Sequence, residues 1–153
     1  MLNAKRNHIL WLTAAVNPPP IFLFIYSLIA LMSKPISRRM HGALDYSAAP
    51  LVAAAPALIG FSEDKTPATL GYVLGSGILA LTAFTRAEWG LVKSVPYKTH
   101  LAIDVVTALT SLGAPWLLGF SNNKKARNTF LAIGATLLTT GLLSEREEMP
   151  KYR

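Results

Sequence analysis

Four stretches of this chain are long, apolar and almost free of charge, and they constrain its fold more than any other feature. Residues 42–61, 66–85, 100–120 and 128–144 together carry two formal charges, Asp45 and Asp104. Each stretch is close to the roughly 20 residues that a helix needs to cross a hydrocarbon core about 30 Å thick. A soluble four-helix bundle would show a polar stripe on every helix, and none of the four has one. Charged residues make up only 15% of the chain, against about 25% in ordinary globular proteins. Mean hydropathy is +0.37. The expectation is an all-α integral membrane protein whose first partner is the lipid bilayer.

The apolar runs are related to one another. "HGALDYSAAPLVAAAPALIGFS" at 41–62 aligns without gaps on "HLAIDVVTALTSLGAPWLLGFS" at 100–121, an offset of 59 residues. His41 falls on His100, Asp45 on Asp104, Pro56 on Pro115, and Gly60-Phe61-Ser62 on Gly119-Phe120-Ser121. Continued to Glu88 and Glu147, the alignment holds 14 identities in 48 pairs, with Lys65/Lys124 and Gly75/Gly134 among them. Apolar composition accounts for matched alanines and leucines, but not for polar, proline and glycine matches in register. Each unit reads as a transmembrane hairpin: a helix from His to Gly-Phe, a tight polar turn, and a return helix. Two such units make four transmembrane helices as two tandem hairpins in the same orientation, a parallel duplication about an axis along the membrane normal.

The domain organisation follows from the repeat. Residues 1–37 form an apolar N-terminal extension, 38–88 the first two-helix unit, 89–99 an interfacial connection, 100–148 the second unit and 149–153 a tail. In the extension, "ILWLTAAVNPPPIFLFIYSLIALMS" at 9–33 is apolar, but Pro18, Pro19 and Pro20 break a helix near its middle. The uninterrupted run is 21–32, too short to span unaided. The extension reads as a short or kinked fifth segment, or as material upstream of a start at Met32 or Met40. It has no small-residue cleavage site of the signal-peptide kind.

Net charge is +7, which could point to nucleic acid, but the basic residues sit in the connections between apolar runs. Lys34, Arg38, Arg39, Arg86, Lys93, Lys98, Arg146, Lys151 and Arg153 fall on one side, against Lys65, Lys124, Lys125 and Arg127 on the other. That bias places both ends of the bundle in the cytoplasm of a cell membrane and leaves no reason to expect a nucleic-acid partner. With no cysteine, disulfides, thiolate metal sites and dithiol redox chemistry are excluded.

With its proline and Gly-Phe in place, the chain resembles the SPW-repeat family of small bacterial membrane proteins. Their unit carries Ser-Pro-Trp near the end of the first of two transmembrane helices. The second unit, "GAPWLLGF", has Ala114 in place of the serine; the first, "AAPALIGF", has Ala57 in place of the tryptophan. "HGALDY" at 41–46 and "EWGLVKSVPYKTHLAID" at 88–104 are also similar to this group. The resemblance covers residues 38–148 and implies topology and a bacterial cell membrane; it implies no biochemical role.

His41, Asp45, His100 and Asp104 are the candidate polar site. Spacing of i, i+4 puts each His/Asp pair on one helix face, and the repeat puts both pairs at one depth. An ionisable group inside a span costs several kcal/mol unless paired, and it faces the protein interior. Three readings stay open: a structural clamp, a proton or cation site between the pairs, and a metal with two His and two Asp ligands, for which zinc or manganese would suit. The clamp is preferred, so no metal and no cofactor are expected.

Pro56 and Pro115 read as kinks or helix endings, Gly60, Phe61, Gly119 and Phe120 as the repeated structural ends, and Trp116 as an outer-interface anchor. Gly71, Gly75 and Gly77 permit close helix approach. Arg86 with Glu88, and Arg146 with Glu147, read as exposed ion pairs. No Ser/His/Asp triad, nucleotide loop or HExxH zinc motif is present, so no catalytic residue is expected and the chain is not read as an enzyme. The expected function is structural or interactive, in a homo-oligomer or with a membrane protein partner. A small transporter or proton/cation conductor that uses the His/Asp pairs is the alternative.

Overall fold

The computed structural model describes residues 19–32 and 34–152, which form five α-helices and one 3-10 turn, with no strand among them. The chain divides into two units, Met1–Pro35 and Ile36–Arg153. In the first, α1 (Pro20–Met32) begins with proline at its first helical position, where the missing N–H is no loss. Pro20 therefore starts a helix, with Pro19 just before it. Ile21, Phe22, Leu23, Phe24, Ile25 and Leu28 are exposed on it. Residues 1–18, about half of the expected extension, lie outside the described residues.

The second unit holds α2 (Arg38–Ile59), α3 (Lys65–Phe84), α4 (Tyr97–Leu117) and α5 (Lys124–Leu143). By length and composition α2, α3 and α4 can cross a membrane. The sequence reading expects four such helices, and α5 falls short of the same measure. Its first turn carries Lys124, Lys125 and Arg127, and Thr129, Thr136, Thr139 and Thr140 dilute the rest. At 20 residues it is as long as α3.

Each long helix packs chiefly on its sequence neighbour, α2 on α3 and α4 on α5, while α2 also meets α5 and α3 meets α4. Within the first pair, Gly71 faces Pro56 and Val52, and Gly75 faces Ala49 and Ala53. The rising number on one helix against the falling number on the other marks an antiparallel hairpin. In the second, Gly134 faces Ala108 and Leu112, and Gly141 faces Asp104 and Val105. A Cβ on Gly75 would lie 2.6 Å from both Ala49 O and Ala53 N. The backbones touch there, and only glycine allows it. Gly77 faces open space, so it plays no part in the approach.

The Gly-Phe pairs turn the chain. Gly60 takes a left-handed φ of 82° and its N–H, like that of Phe61, donates to Pro56 O. Gly119 has φ 74°. Each following phenylalanine folds back inside, with Phe61 and Phe120 joining Ala55, Ala114, Ala126 and Phe130 in one buried cluster. Pro56 and Pro115 are fully buried near these helix ends. Asn123 caps α5 by accepting from Ala126 N, and its amide donates to Asp64 Oδ2 at 3.1 Å. Asp64 and Asn123 are 59 residues apart, so equivalent positions of the two aligned stretches meet at this end.

At the opposite end two short bridges follow the same offset. Ile36 N donates to Leu143 O and Glu145 N to Ile36 O; Val95 N donates to Phe84 O and Arg86 N to Val95 O. Adding 59 to Ile36 gives Val95, and subtracting it from Leu143 and Glu145 gives Phe84 and Arg86. The segment leading into each hairpin thus pairs with the end of the other hairpin.

Candidate functional site

The four ionisable residues singled out from sequence come together in the second unit. His41 and Asp45 lie in the first turns of α2, and His100 and Asp104 in the first turns of α4. They are buried, with 1%, 5%, 2% and 7% of their surfaces exposed in that order. One atom of each converges on a common centre. His41 Nε2 is 3.3 Å from Asp45 Oδ2 and 3.0 Å from Asp104 Oδ2. His100 Nε2 is 3.2 Å from Asp45 Oδ2 and 3.1 Å from Asp104 Oδ2. The two Nε2 atoms are 3.1 Å apart. Each imidazole therefore meets the aspartate of its own helix and that of the other hairpin equally well.

The outward nitrogens are held just as symmetrically. His41 Nδ1 lies 2.8 Å from Ser144 Oγ, and His100 Nδ1 lies 2.7 Å from Thr85 Oγ1. Both hydroxyls end return helices and both donate to a carbonyl four residues back, Ser144 to Thr140 O and Thr85 to Leu81 O. A carbonyl can only accept, so the one hydroxyl proton goes there and the hydroxyl oxygen accepts from Nδ1–H. This puts a proton on each Nδ1 and turns both Nε2 atoms toward the two aspartates. Each histidine crosses to the other hairpin for this bond.

Tyr97 closes the site from the helix ends. It is 1% exposed, stacks on His100 with centroids 6.0 Å apart, and meets the His41 ring edge-on at 5.9 Å. The Arg38 guanidinium lies over the tyrosine ring, 5.9 Å from its centre. Arg38 is fixed in turn by a two-pronged pair with Glu88, at 2.6 and 3.0 Å, and by Glu147 O at 2.6 Å. The ion pair expected between Arg86 and Glu88 is replaced by this one. Arg86 instead donates to Lys93 O and lies over the Tyr152 ring. Glu88 is held below the usual carboxylate range by its hydrogen bond from Arg38.

The site departs from symmetry at one point. Thr82 Oγ1 lies 3.0 Å from Asp45 Oδ2. The position 59 residues later is Gly141, which offers Asp104 no hydroxyl. A cavity of about 90 Å³ lies on this side, lined by both aspartates, Leu44, Leu137, Thr136 and Thr140 among others.

Sequence reasoning missed Thr82, Thr85, Ser144, Tyr97 and Arg38. A trace of the hydroxyl pair was present, since Thr85 and Ser144 occupy aligned positions. Of the repeat-motif residues, Trp116 is exposed, while Pro56, Phe61, Pro115 and Phe120 are buried away from the polar centre.

Three of the four site residues, His41, Asp45 and His100, have the ligand types and spacing to hold a metal ion. The family model of the SPW repeat domain matches residues 39–144, which include all four. No curated protein and no solved structure matches the chain.

Proposed function

Because the chain belongs to the SPW repeat family, and its helices carry their apolar residues outward, we propose that it is a multi-pass protein of the cell membrane with a structural or interaction role and no catalytic activity. The carrying observation is that the second unit is inside-out. Leu51, Leu58, Val73, Val106, Leu109 and Leu117 are each more than half exposed, while His41, Asp45, His100 and Asp104 are buried. Such a surface is costly in water and suited to lipid.

In this reading α5 is the fourth span. It is the antiparallel partner of α4, matches α3 in length, and carries its charges only in the first turn. The two hairpins are a tandem duplication, supported by repeat-related residues meeting at both ends: His41 with His100, and Asp64 with Asn123. Those two meetings support a pseudo-twofold axis parallel to the helices, with the four helices in a bundle round it. The His/Asp end, with Arg38, Arg39, Arg86, Lys93, Lys98, Arg146 and Lys151 in its connections and first helical turns, faces the cytoplasm. The buried cluster acts as a clamp between hairpins, leaving the outer faces free for lipid, a second copy or a membrane protein partner.

Cysteine accessibility tests this topology, because the chain has no cysteine of its own. Ser62→Cys, Ser94→Cys, Asn122→Cys and Lys151→Cys lie in exposed connections. A membrane-impermeant maleimide added to spheroplasts should label the variants at 62 and 122 and spare those at 94 and 151. Labelling at 122 and 151 together would remove the fourth span, and labelling at 94 with 151 alone would invert the orientation.

A further inference from the structure

We propose, resting on the membrane reading above, that the cleft between the start of α4 and the end of α5 holds one glycerophospholipid and recognises its phosphodiester. The cleft measures about 1150 Å³, and Leu101, Ala102, Val105 and Leu142 form its apolar wall. Lys98 and Arg146 line it as well, and both are exposed. Neither side chain has a hydrogen bond or ion pair among the described residues.

The repeat explains why this space exists on one side only. In the first hairpin the equivalent place is filled by Trp89, whose ring lies on Gly42; a Cβ there would stand 2.8 Å from Trp89 Cδ1. The indole N–H donates to Arg39 O at 2.8 Å, Tyr46 donates to Trp89 O at 3.1 Å, and the Arg39 guanidinium lies over the ring. An offset of 59 residues puts Glu148 in the place of Trp89, Leu101 in that of Gly42, Val105 in that of Tyr46 and Lys98 in that of Arg39. The Glu148 carboxylate is held elsewhere, accepting from Tyr97 N and Lys98 N at 3.0 Å each. It thereby caps α4, whose N-cap position is Pro96 and supplies no side-chain bond. The equivalent of Pro96 is Ser37, which caps α2 itself by accepting from Met40 N. One hairpin covers this face with its own aromatic ring, and the other leaves it open.

The chemistry of the lining selects the occupant. An acyl chain suits the apolar wall, and a phosphodiester suits two free cations beside it. Basic pockets between helices on the cytoplasmic side are where membrane proteins hold phospholipid headgroups, and the proposed topology puts this end there. Glu148 is engaged by backbone N–H groups, so Glu147 is the one other carboxylate in the lining, against two cations.

The test uses the full chain purified in detergent, stripped of co-purified lipid and titrated with phosphatidylglycerol, with native mass spectrometry as the readout. One tightly held lipid per chain is expected. Diacylglycerol, which lacks the phosphate, and glycerol phosphate, which lacks the acyl chains, should each bind far more weakly; this comparison needs no variant. Lys98→Gln with Arg146→Gln should weaken phosphatidylglycerol binding roughly thirtyfold, at about fivefold per cation. Ala102→Phe, at an exposed position of the wall, should block it, with circular dichroism confirming that the variants are folded. Diacylglycerol or glycerol phosphate bound as tightly as phosphatidylglycerol, or unweakened binding by the double glutamine variant, would overturn the site. A lipid-free dimer that Ala102→Phe abolishes would give the cleft to a second copy of the chain and overturn it too. A detergent-dependent chain that binds no phosphatidylglycerol would overturn this inference alone, whereas a chain that stays monodisperse without detergent would overturn the membrane reading with it.

Discussion

Replacing Gly75 with alanine probes the tightest backbone approach in the molecule. The added Cβ would stand 2.6 Å from Ala49 O and Ala53 N and 2.7 Å from Ala53 Cβ. Two of these atoms are backbone, so no side chain can swing away, and α2 and α3 must move apart by several tenths of an ångström or more. Overpacking of this kind costs about 1 to 3 kcal/mol, and rigid neighbours put Gly75 at the upper end. Alanine returns about 1 kcal/mol of helix propensity. The net loss is therefore about 2 kcal/mol, or roughly a thirtyfold fall in the folding equilibrium. Gly77→Ala is the internal control, because its Cβ meets nothing within 4 Å and only the propensity gain remains. Reversible unfolding of both variants in mixed detergent micelles, followed by circular dichroism, gives the two differences. A Gly75→Ala variant as stable as the unaltered chain, or a Gly77→Ala variant destabilised as much, would refute the close-approach argument.

Two further predictions concern the polar end. Gly141→Ser should stabilise the chain by about 1 kcal/mol, since a Cβ there meets Asp104 and Val105 only at 3.8 Å and the new hydroxyl gives Asp104 the partner Asp45 has in Thr82. Thermal unfolding of the variant checks this, and a lowered midpoint would count against the asymmetry described. Glu88→Gln should cost at most about 1 kcal/mol at neutral pH, because its ion pair with Arg38 is partly open to solvent. The Glu88 carboxyl is depressed in the folded chain, so its contribution is present above the unfolded carboxylate pKa of about 4.3 and fades as pH falls below it. The stability gap between the two chains, measured against pH, should therefore close on the acid side; a gap that widened in acid would contradict the pairing.

Much of the site was legible in the sequence because its four members are chemically rare in apolar helices. A histidine and an aspartate four apart, repeated at an offset of 59, left few places for the residues to go. The partners that orient them were not legible. Thr85 and Ser144 are ordinary helix-end residues, and nothing local distinguishes a hydroxyl that caps a helix from one that also holds a ring of the other hairpin. Arg38 and Glu88 are 50 residues apart, so the nearer Arg86 drew the pairing that Arg38 makes. The helices themselves followed from runs without charge, yet α5 fell below the measure that α2, α3 and α4 meet, since its threonines and basic first turn dilute a segment the repeat treats as equivalent to α3. Gly71 shows the limit of a repeat argument. Its aligned position is Phe130, so one hairpin packs a glycine on Pro56 where the other packs a phenylalanine on Phe120.

The central claim is that the two hairpins share one polar centre, and a double-mutant cycle between them tests it most directly. His41→Gln and Asp104→Asn remove groups 3.0 Å apart that belong to different hairpins, and unfolding in detergent gives the stability of each single variant and of the pair. The account predicts a coupling between them of about 1 to 3 kcal/mol, as for residues of one buried network. Additive losses, with a coupling below about 0.5 kcal/mol, would mean that each histidine serves only its own helix and would contradict the shared centre.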